Sequence, residues 1–377
     1  MKKKVYYWSP FLSPIATCKA VINSAFSLSK FSNEYQSSIF NFFNEFHLFE
    51  KQIKRKNIEF INFYNFNFSK YLPFQGKLKS RFSFIILFIL GFFPLIKILK
   101  TKKPDYLIIH LISSLPLIIL ILFKFETKFI LRISGFPKLN FFRKFLWKIA
   151  LKKIHLVTCP TKNTLNYIKS FNFVEASKVR LLYDPVLNVA EMNKKKKENI
   201  GFKNFYLSVG RLTRQKNFMF LCEAFKRLIN ENNELKLIIA GNGEDEEKIR
   251  NFINKNNLQD NIILLGYIDN IYPYFYKAKG FILTSLWEDP GFVLVEALFF
   301  RKLILSSDAW PGPVELIRDF ENGFVFENEN LNNFLKKFKH FNNYENASPI
   351  TLNGIKSSKK FSLFSHYQNL NKILSLN

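Results

Sequence analysis

The sequence predicts an α/β fold made of two parallel-sheet units. Short strand-like runs alternate with longer apolar helical stretches along the chain, and a charged segment without apolar period interrupts the alternation once before it resumes. A length of 377 residues points the same way, because a single hydrophobic core rarely grows so large.

Lys4 to Trp8 reads as the first strand. The preceding lysines imitate the start of a secretory signal, but Pro10 and Pro14 break the apolar run that such a signal needs. A helix is expected near Thr17 to Ser29, then strands at Tyr106 to His110, Phe129 to Ile133 and Leu156 to Cys159. The Phe- and Asn-rich segments Phe40 to Phe49 and Phe60 to Phe68 carry no assigned chemistry. Two stretches, Phe82 to Leu99 and Tyr106 to Phe123, approach the length of a membrane span. Gly91 and Pro94 interrupt the first, and His110, Ser113, Ser114 and Pro116 divide the second. Alternating buried helix and parallel strand accounts for both. A third arrangement lays the Phe-rich helix on a membrane surface, with Lys97, Lys100, Lys102 and Lys103 beside it.

Residues 1–185 therefore form a first unit and residues 186–202, with the run Asn193-Lys-Lys-Lys-Lys, a linker. A second unit covers 203–357, and 358–377 supplies a last helix returning to the first unit. In the second unit a strand ends at Gly210, Asn217 stands where a residue caps the helix Phe218 to Leu228, and Leu235 to Gly241 is the next strand. Further strands are expected at Ile262 to Leu265, Phe281 to Thr284 and Leu303 to Ser306. Ligands of an open parallel sheet bind beyond the carboxyl ends of its strands, where Gly210, Gly241, Ser285 and Ser307 fall.

The formal net charge is +27, which attracts polyanions, whether nucleic acid or anionic lipid. Cys18, Cys159 and Cys222 have no paired spacing, so neither a disulfide framework nor a zinc site is expected, and a reducing cytoplasm fits.

The chemistry concentrates at strand ends of the second unit. Glu288 and Glu296 frame a turn and the start of an apolar helix, and two ionised carboxylates there suit a ligand rich in hydroxyls. Gly291 lets the backbone approach a bound molecule, and the amides of Phe292 and Val293 open the helix where anions or sugar oxygens bind. Arg211 and Lys216 sit at a strand-to-helix junction suited to neutralising a diphosphate, the first through a planar fork and the second as a point charge. Gly241-Asn242-Gly243 forms a tight turn after the next strand. Gly312-Pro313 with Glu315 opens another helix. Trp287 and Trp310 are read as packing aromatics before they are read as stacking surfaces.

Taken together, Gly210-Arg211-Leu212 with Lys216-Asn217, Gly241-Asn242-Gly243, the Glu288/Glu296 pair, Gly312-Pro313 with Glu315, and Asn322-Gly323 resemble the carboxyl-terminal domain of the retaining glycosyltransferases of family 4. The resemblance covers about residues 203–330. It implies the GT-B fold, two Rossmann-like domains facing each other across a cleft. It also implies that Arg211 and Lys216 hold the donor diphosphate, Glu288 the transferred sugar and Glu296 the ribose hydroxyls, with Glu288, Lys216 and Arg211 as the catalytic set. Neither metal nor cofactor is expected, since cations and a helix dipole occupy the metal's role. In the first unit Arg132-Ile133-Ser134-Gly135 looks like the family's strand-end loop, so His110, Arg132, Ser134 and Gly135 are acceptor-side candidates. The segment Trp8 to Pro14 departs from the family's glycine-rich loop, so acceptor contacts there do not carry over.

The expected activity is transfer of a sugar from a nucleotide-diphosphate donor to a glycan or polyprenyl-linked glycan in cell-surface polysaccharide synthesis, at the inner face of the membrane. Two other classes compete. A nucleic-acid-binding protein would exploit the charge, but no helix-turn-helix, zinc or RNA-binding motif is present. A NAD-dependent Rossmann enzyme requires Gly-x-Gly-x-x-Gly after the first strand, where this chain has Ser9-Pro10-Phe11-Leu12-Ser13-Pro14.

Overall fold

The computed structural model describes residues 2–11, 16–64, 77–133, 135–137, 139–344 and 347–376. Its first half runs β1 (Lys3–Trp8), α1 (Ala16–Phe31), β2 (Tyr35–Asn41), α2 (Glu50–Arg55), β3 (Glu59–Asn62), α3 (Lys77–Lys102), β4 (Tyr106–Ile109), α4 (Ser114–Leu122), β5 (Lys128–Arg132), α5 (Phe141–Lys153), β6 (Leu156–Cys159), α6 (Lys162–Ser170) and β7 (Val179–Leu181). The second half runs α7 (Val189–Lys195), β8 (Tyr206–Val209), α8 (Phe218–Glu231), β9 (Leu237–Ala240), α9 (Glu246–Lys255), β10 (Ile262–Gly266), α10 (Tyr272–Lys277), β11 (Gly280–Leu283) and β12 (Trp287–Glu288). It continues with α11 (Phe292–Phe299), β13 (Leu303–Ser307), β14 (Trp310–Pro311), α12 (Pro313–Leu316), β15 (Phe324–Phe326), α13 (Leu331–Asn342), α14 (Ala347–Ser358) and α15 (Leu363–Leu374).

Two compact units result, Met1–Pro185 with Leu363–Asn377, and Val186–Ser362. The stretch expected as a linker instead folds into α7, whose buried Met192 anchors it in the second unit. Charge density hides that helix from a reading of apolar period.

The first unit carries a parallel sheet in the order β3-β2-β1-β4-β5-β6-β7. Both faces of such a sheet are covered, so its strands read as near-continuous apolar runs. Helices α3, α4 and α5 bury Leu95, Leu99, Leu117 and Trp147 against one face. On the other, α1 and the returning α15 bury Val21, Ile22, Leu370 and Ile373. Strands β2 and β3 and the three-residue β7 were not expected from the sequence. Ile39 and Phe40 of β2 are nevertheless fully buried, which gives the Phe-rich segment a packing role.

Within α3, the stretch Ser83–Lys102 has a mean hydropathy of 2.1 and is long and apolar enough to cross a membrane. Yet Leu87, Leu95, Ile96 and Leu99 are buried in the core of the unit. Moving four such side chains out of that core would forgo roughly 1.5–3 kcal/mol each. The structure keeps α3 as a covering helix of the sheet.

The second unit has the order β10-β9-β8-β11-β13-β15, again parallel, with β12 and β14 forming a separate two-stranded pair. Strand order reverses between β8 and β11, as it does between β1 and β4 in the first unit. At such a reversal neighbouring loops diverge to opposite faces, which leaves a crevice at the strands' carboxyl ends.

Candidate active site

The loops leaving β8 and β11 flank the reversal in the second unit, and they carry Lys216 and Glu288. Hydrogen bonds stitch the two loops together. Leu286 N–H donates to the Gln215 carbonyl at 2.8 Å, Gln215 Nε2 donates to the Trp287 carbonyl at 2.8 Å, and Thr284 Oγ1 donates to the Lys216 carbonyl at 3.0 Å. The β13 loop joins through Ser307 Oγ, which donates to the Ser285 carbonyl at 2.7 Å. Asn328 Nδ2 closes the frame on the Leu286 carbonyl at 3.1 Å.

Glycines shape the same edge. Gly241 has φ +143°, and a Cβ there would lie 1.8 Å from the Gly210 carbonyl oxygen. A Cβ on Gly243 would lie 2.3 Å from the Leu212 carbonyl oxygen. Leu212 N–H donates to the Asn242 carbonyl at 2.9 Å, and Asp245 N–H donates to Leu212 at 2.9 Å. Thus Gly241-Asn242-Gly243 is needed first for backbone to lie on backbone, which holds the cation-bearing β8 loop in place. Asn217 has φ +53° and makes no side-chain cap bond to α8. Its place at the helix start comes from tolerance of the left-handed region, not from capping.

On this frame Lys216 Nζ and a Glu288 carboxylate oxygen form an ion pair, both side chains mostly buried. Ser285 Oγ donates to the same oxygen at 2.8 Å. The Lys216 methylenes lie over Gly210, where any Cβ would meet them at 3.0–3.3 Å. Gly291, with φ +92°, passes beside the Glu288 methylenes and opens α11, so the free amides of Phe292 and Val293 follow the carboxylate directly. The Glu288 carbonyl accepts from Gly312 N–H at 2.9 Å, which ties the site to the Gly312-Pro313 turn. Glu296 lies in the second turn of α11; burial first, and then the charge of Glu296, raise the pKa of the Tyr272 hydroxyl. Arg211 is exposed at the end of β8. Trp287 and Trp310, expected to pack inside, are register partners in β12 and β14 and remain 41% and 44% exposed. Among the described residues, no three His, Cys, Asp or Glu side chains converge as metal ligands.

Residues 190–349, which include every one of these groups, match the family model described as Glycosyl transferases group 1. Residues 190–349 thus carry that family's signature, and the curated proteins most similar to the chain are glycosyltransferases. The chain is 29% identical over 308 residues to an uncharacterized glycosyltransferase of Methanocaldococcus jannaschii, covering 74% of this chain and 75% of that protein. It is 26% identical over 356 residues, or 92% of this chain and 91% of the relative, to a Campylobacter jejuni alpha-1,4-N-acetyl-D-galactosaminyltransferase named for a diphospho-undecaprenol-linked glycan. Among solved structures, Staphylococcus aureus TarM superposes with a TM-score of 0.76 at 15% identity, covering 100% of this chain and 99% of that one. Anabaena HepE in complex with UDP and glucose superposes at 0.72 and 15% identity, covering 99% of both chains. The fold is GT-B.

The first unit treats its own reversal differently. His110 directly follows β4, and Arg132 ends β5, yet both side chains are buried. Arg132 forms an ion pair with buried Asp184 and also donates to the Ile133 carbonyl. His366 of α15 bridges Ser24 Oγ at 2.8 Å and the Tyr183 carbonyl at 2.7 Å. These groups line a small cavity with Thr158. Both His110 ring nitrogens, Thr158 Oγ1 and Asp184 Oδ2 lack hydrogen-bond partners there. Burial, reinforced by Arg132, holds His110 well below the usual histidine range, and burial pushes His366 down to about 4. Burial also raises Asp184, against the lowering effect of Arg132. Gly135 follows in the strand-end loop with φ +87°, and Ser134 lies outside the described residues.

Sequence reasoning missed Gln215, Asn328, Asp184 and His366 as builders of these two edges. Gln215 adjoined a recognised cation, which was a usable signal. The other three act through partners far away in the chain, and nothing local marks them.

Proposed function

We propose that the protein transfers a sugar, with retention at the anomeric carbon, from a nucleoside-diphosphate donor to a glycan or lipid-linked glycan in cell-surface polysaccharide synthesis. The observation that carries this reading is the Lys216–Glu288 pair at the topological reversal of the second unit, braced by Ser285 and followed at once by the start of α11. In this reading Lys216 and Arg211 receive the diphosphate, Glu288 a hydroxyl of the transferred sugar, and Glu296 the ribose. The Gly241-Asn242-Gly243 turn and the Phe292 and Val293 amides complete the donor site. Negative charge grows on the leaving diphosphate as the glycosidic bond breaks, so cations fixed in advance favour the transition state over the ground state. No metal is assigned to this step, and chelators are expected to leave the rate unchanged.

Donor binding must part Lys216 from Glu288, and each then finds a substrate partner of opposite or hydrogen-bonding character. The acceptor reading draws on the relatives named for undecaprenol-linked glycans and for amylovoran biosynthesis. His110 and Arg132, being buried, act by fixing the strand-end loop at Gly135 on the acceptor side. Work on a lipid-borne acceptor calls for a protein at the cytoplasmic surface of the membrane.

A thermal-shift screen of nucleoside diphosphates and nucleotide sugars tests the donor site, since a ligand that binds the folded state raises the melting temperature. At least one UDP- or GDP-sugar should stabilise the protein, and the product formed from it should keep the donor's anomeric configuration by NMR. A chain indifferent to all of them, or stabilised by NAD instead, would overturn the assignment.

A further inference from the structure

Eight of the nineteen exposed large apolar side chains among the described residues belong to three helices of the first unit: four on α3, one on α4 and three on α5. These helices are neighbours, since α4 packs against both α3 and α5 over the same sheet face. On α3, Ile85, Ile89 and Phe93 recur every four residues and so form one outward stripe. On α5, Phe141 and Phe142 are 79% and 80% exposed, and Phe145 follows one turn on. A water-facing surface has no use for such a concentration of apolar area.

The charge around it is equally one-sided. Between Lys77 and Lys153 the chain has sixteen Lys and Arg residues against two acids, Asp105 and Glu126, more than half of the whole chain's excess of +27. An apolar stripe set among cations fits an anionic lipid surface better than it fits nucleic acid, which would leave the aliphatic side chains unpartnered.

Helix direction gives the face a polarity. Both α3 and α5 run back from the carboxyl edge of the parallel sheet, because each leads from the end of one strand to the start of the next. Phe141, Phe142, Phe145, Ile85 and Ile89 therefore cluster toward the carboxyl edge. Cations, by contrast, stand at both ends of the helices: Lys77, Lys79 and Arg81 at the start of α3 and Lys97, Lys100 and Lys102 at its end, Arg143 and Lys144 at the start of α5 and Lys152 and Lys153 at its end.

We propose that the outer face of α3, α4 and α5 docks on an anionic bilayer in a tilted pose, with its aromatic end at the carboxyl edge of the sheet set deepest and the cations, spread along both helices, resting among the headgroups. The pose deepens the reading of a lipid-borne acceptor, because it brings the ligand-binding edge of the first unit nearest the lipid, but the docking itself does not depend on the reaction.

The experiment is flotation of the full chain with phosphatidylethanolamine/phosphatidylglycerol vesicles, without substrate. Wild type should float at low salt and release at high salt, while F141S/F142S and I89S/F93S should each bind at least tenfold less. An environment-sensitive fluorophore on Lys144→Cys should be quenched by brominated lipid more strongly than one on Lys102→Cys. Undiminished flotation of the serine variants, equal or reversed quenching at the two positions, or release only by detergent would overturn the proposal. Nucleotide-induced stabilisation of the same variants should be unchanged, so a failed docking result stays separable from a failed donor site.

Discussion

The two sheet reversals of this chain are built alike and finished differently. In the second unit the loops at the reversal hold Lys216 against Glu288 on a frame tied by Gln215, Thr284 and Ser307, and the start of α11 follows Glu288 closely. In the first unit the corresponding ionic pair, Arg132–Asp184, lies almost wholly inside and faces two buried histidines. The comparison separates a pair that the proposed function sets against a substrate from a pair enclosed beside a loop and a returning helix.

The strongest way to break that contrast is Asp184→Ala. Removing one partner leaves the buried Arg132 guanidinium without its carboxylate, which costs about 3–5 kcal/mol. Chemical denaturation should show that loss in stability, whereas donor-induced stabilisation of the surviving folded fraction should persist. Next come Glu288→Ala and Lys216→Ala, which should lower kcat by roughly 10²-fold or more, about 2.7–4 kcal/mol, by loss of a group fixed for the transition state. Their melting temperatures should fall by less than that of Asp184→Ala, because the Lys216–Glu288 pair is the more exposed of the two and water can reach the partner left behind. Wild-type turnover in both, or a collapse of stability to match that of Asp184→Ala, would erase the distinction between the edges.

A smaller effect sharpens it through pH. His366 is held at about 4 in the folded chain against about 6.5 for an ordinary histidine, so the folded state resists its protonation. The stability it contributes is fully present above pH 6.5 and is lost as pH falls through that value toward 4, by up to about 3 kcal/mol. Glu45 works in the opposite sense. Burial raises it to about 7, so its contribution is full below the ordinary carboxylate pKa and is lost as pH rises toward 7. The observable is therefore the difference between wild type and His366→Gln in urea denaturation from pH 7.5 to 4.5, which should narrow steadily toward acid. A difference independent of pH would remove the histidine from the account. Smallest is Asn217. Substitution by Ala should cost up to about 1 kcal/mol, because Ala keeps the Cβ penalty of the left-handed region without the short polar side chain that offsets it in Asn, while Gly should cost almost nothing. Equal losses for Ala and Gly would restore the capping role that its place in the sequence suggests.

Much of the fold was legible because parallel strands buried on two faces betray themselves as short apolar runs such as Leu237–Ala240. Strands β2 and β3 were not, since an excess of Phe and Asn blurs the boundary between strand and loop. The three-residue β7 and β15 are too short to show a period at all. In the site, Lys216 and Glu288 were legible from strand-end position and residue type. Arg132 was legible only as a cation near a strand end. That it turns inward depends on Asp184, whose pairing arises in three dimensions alone. The exposure of Trp287 and Trp310 was likewise hidden, because it depends on the pairing of two-residue strands that no sequence window contains.

The close approach of Gly241 to the Gly210 carbonyl has one further consequence. A turn moulded by its neighbour's main chain has its shape settled when the protein folds, before any substrate arrives. Divergence in sugar preference within such a lineage would then proceed by exchanging side chains mounted on an inherited chassis, while insertions into either turn would be purged.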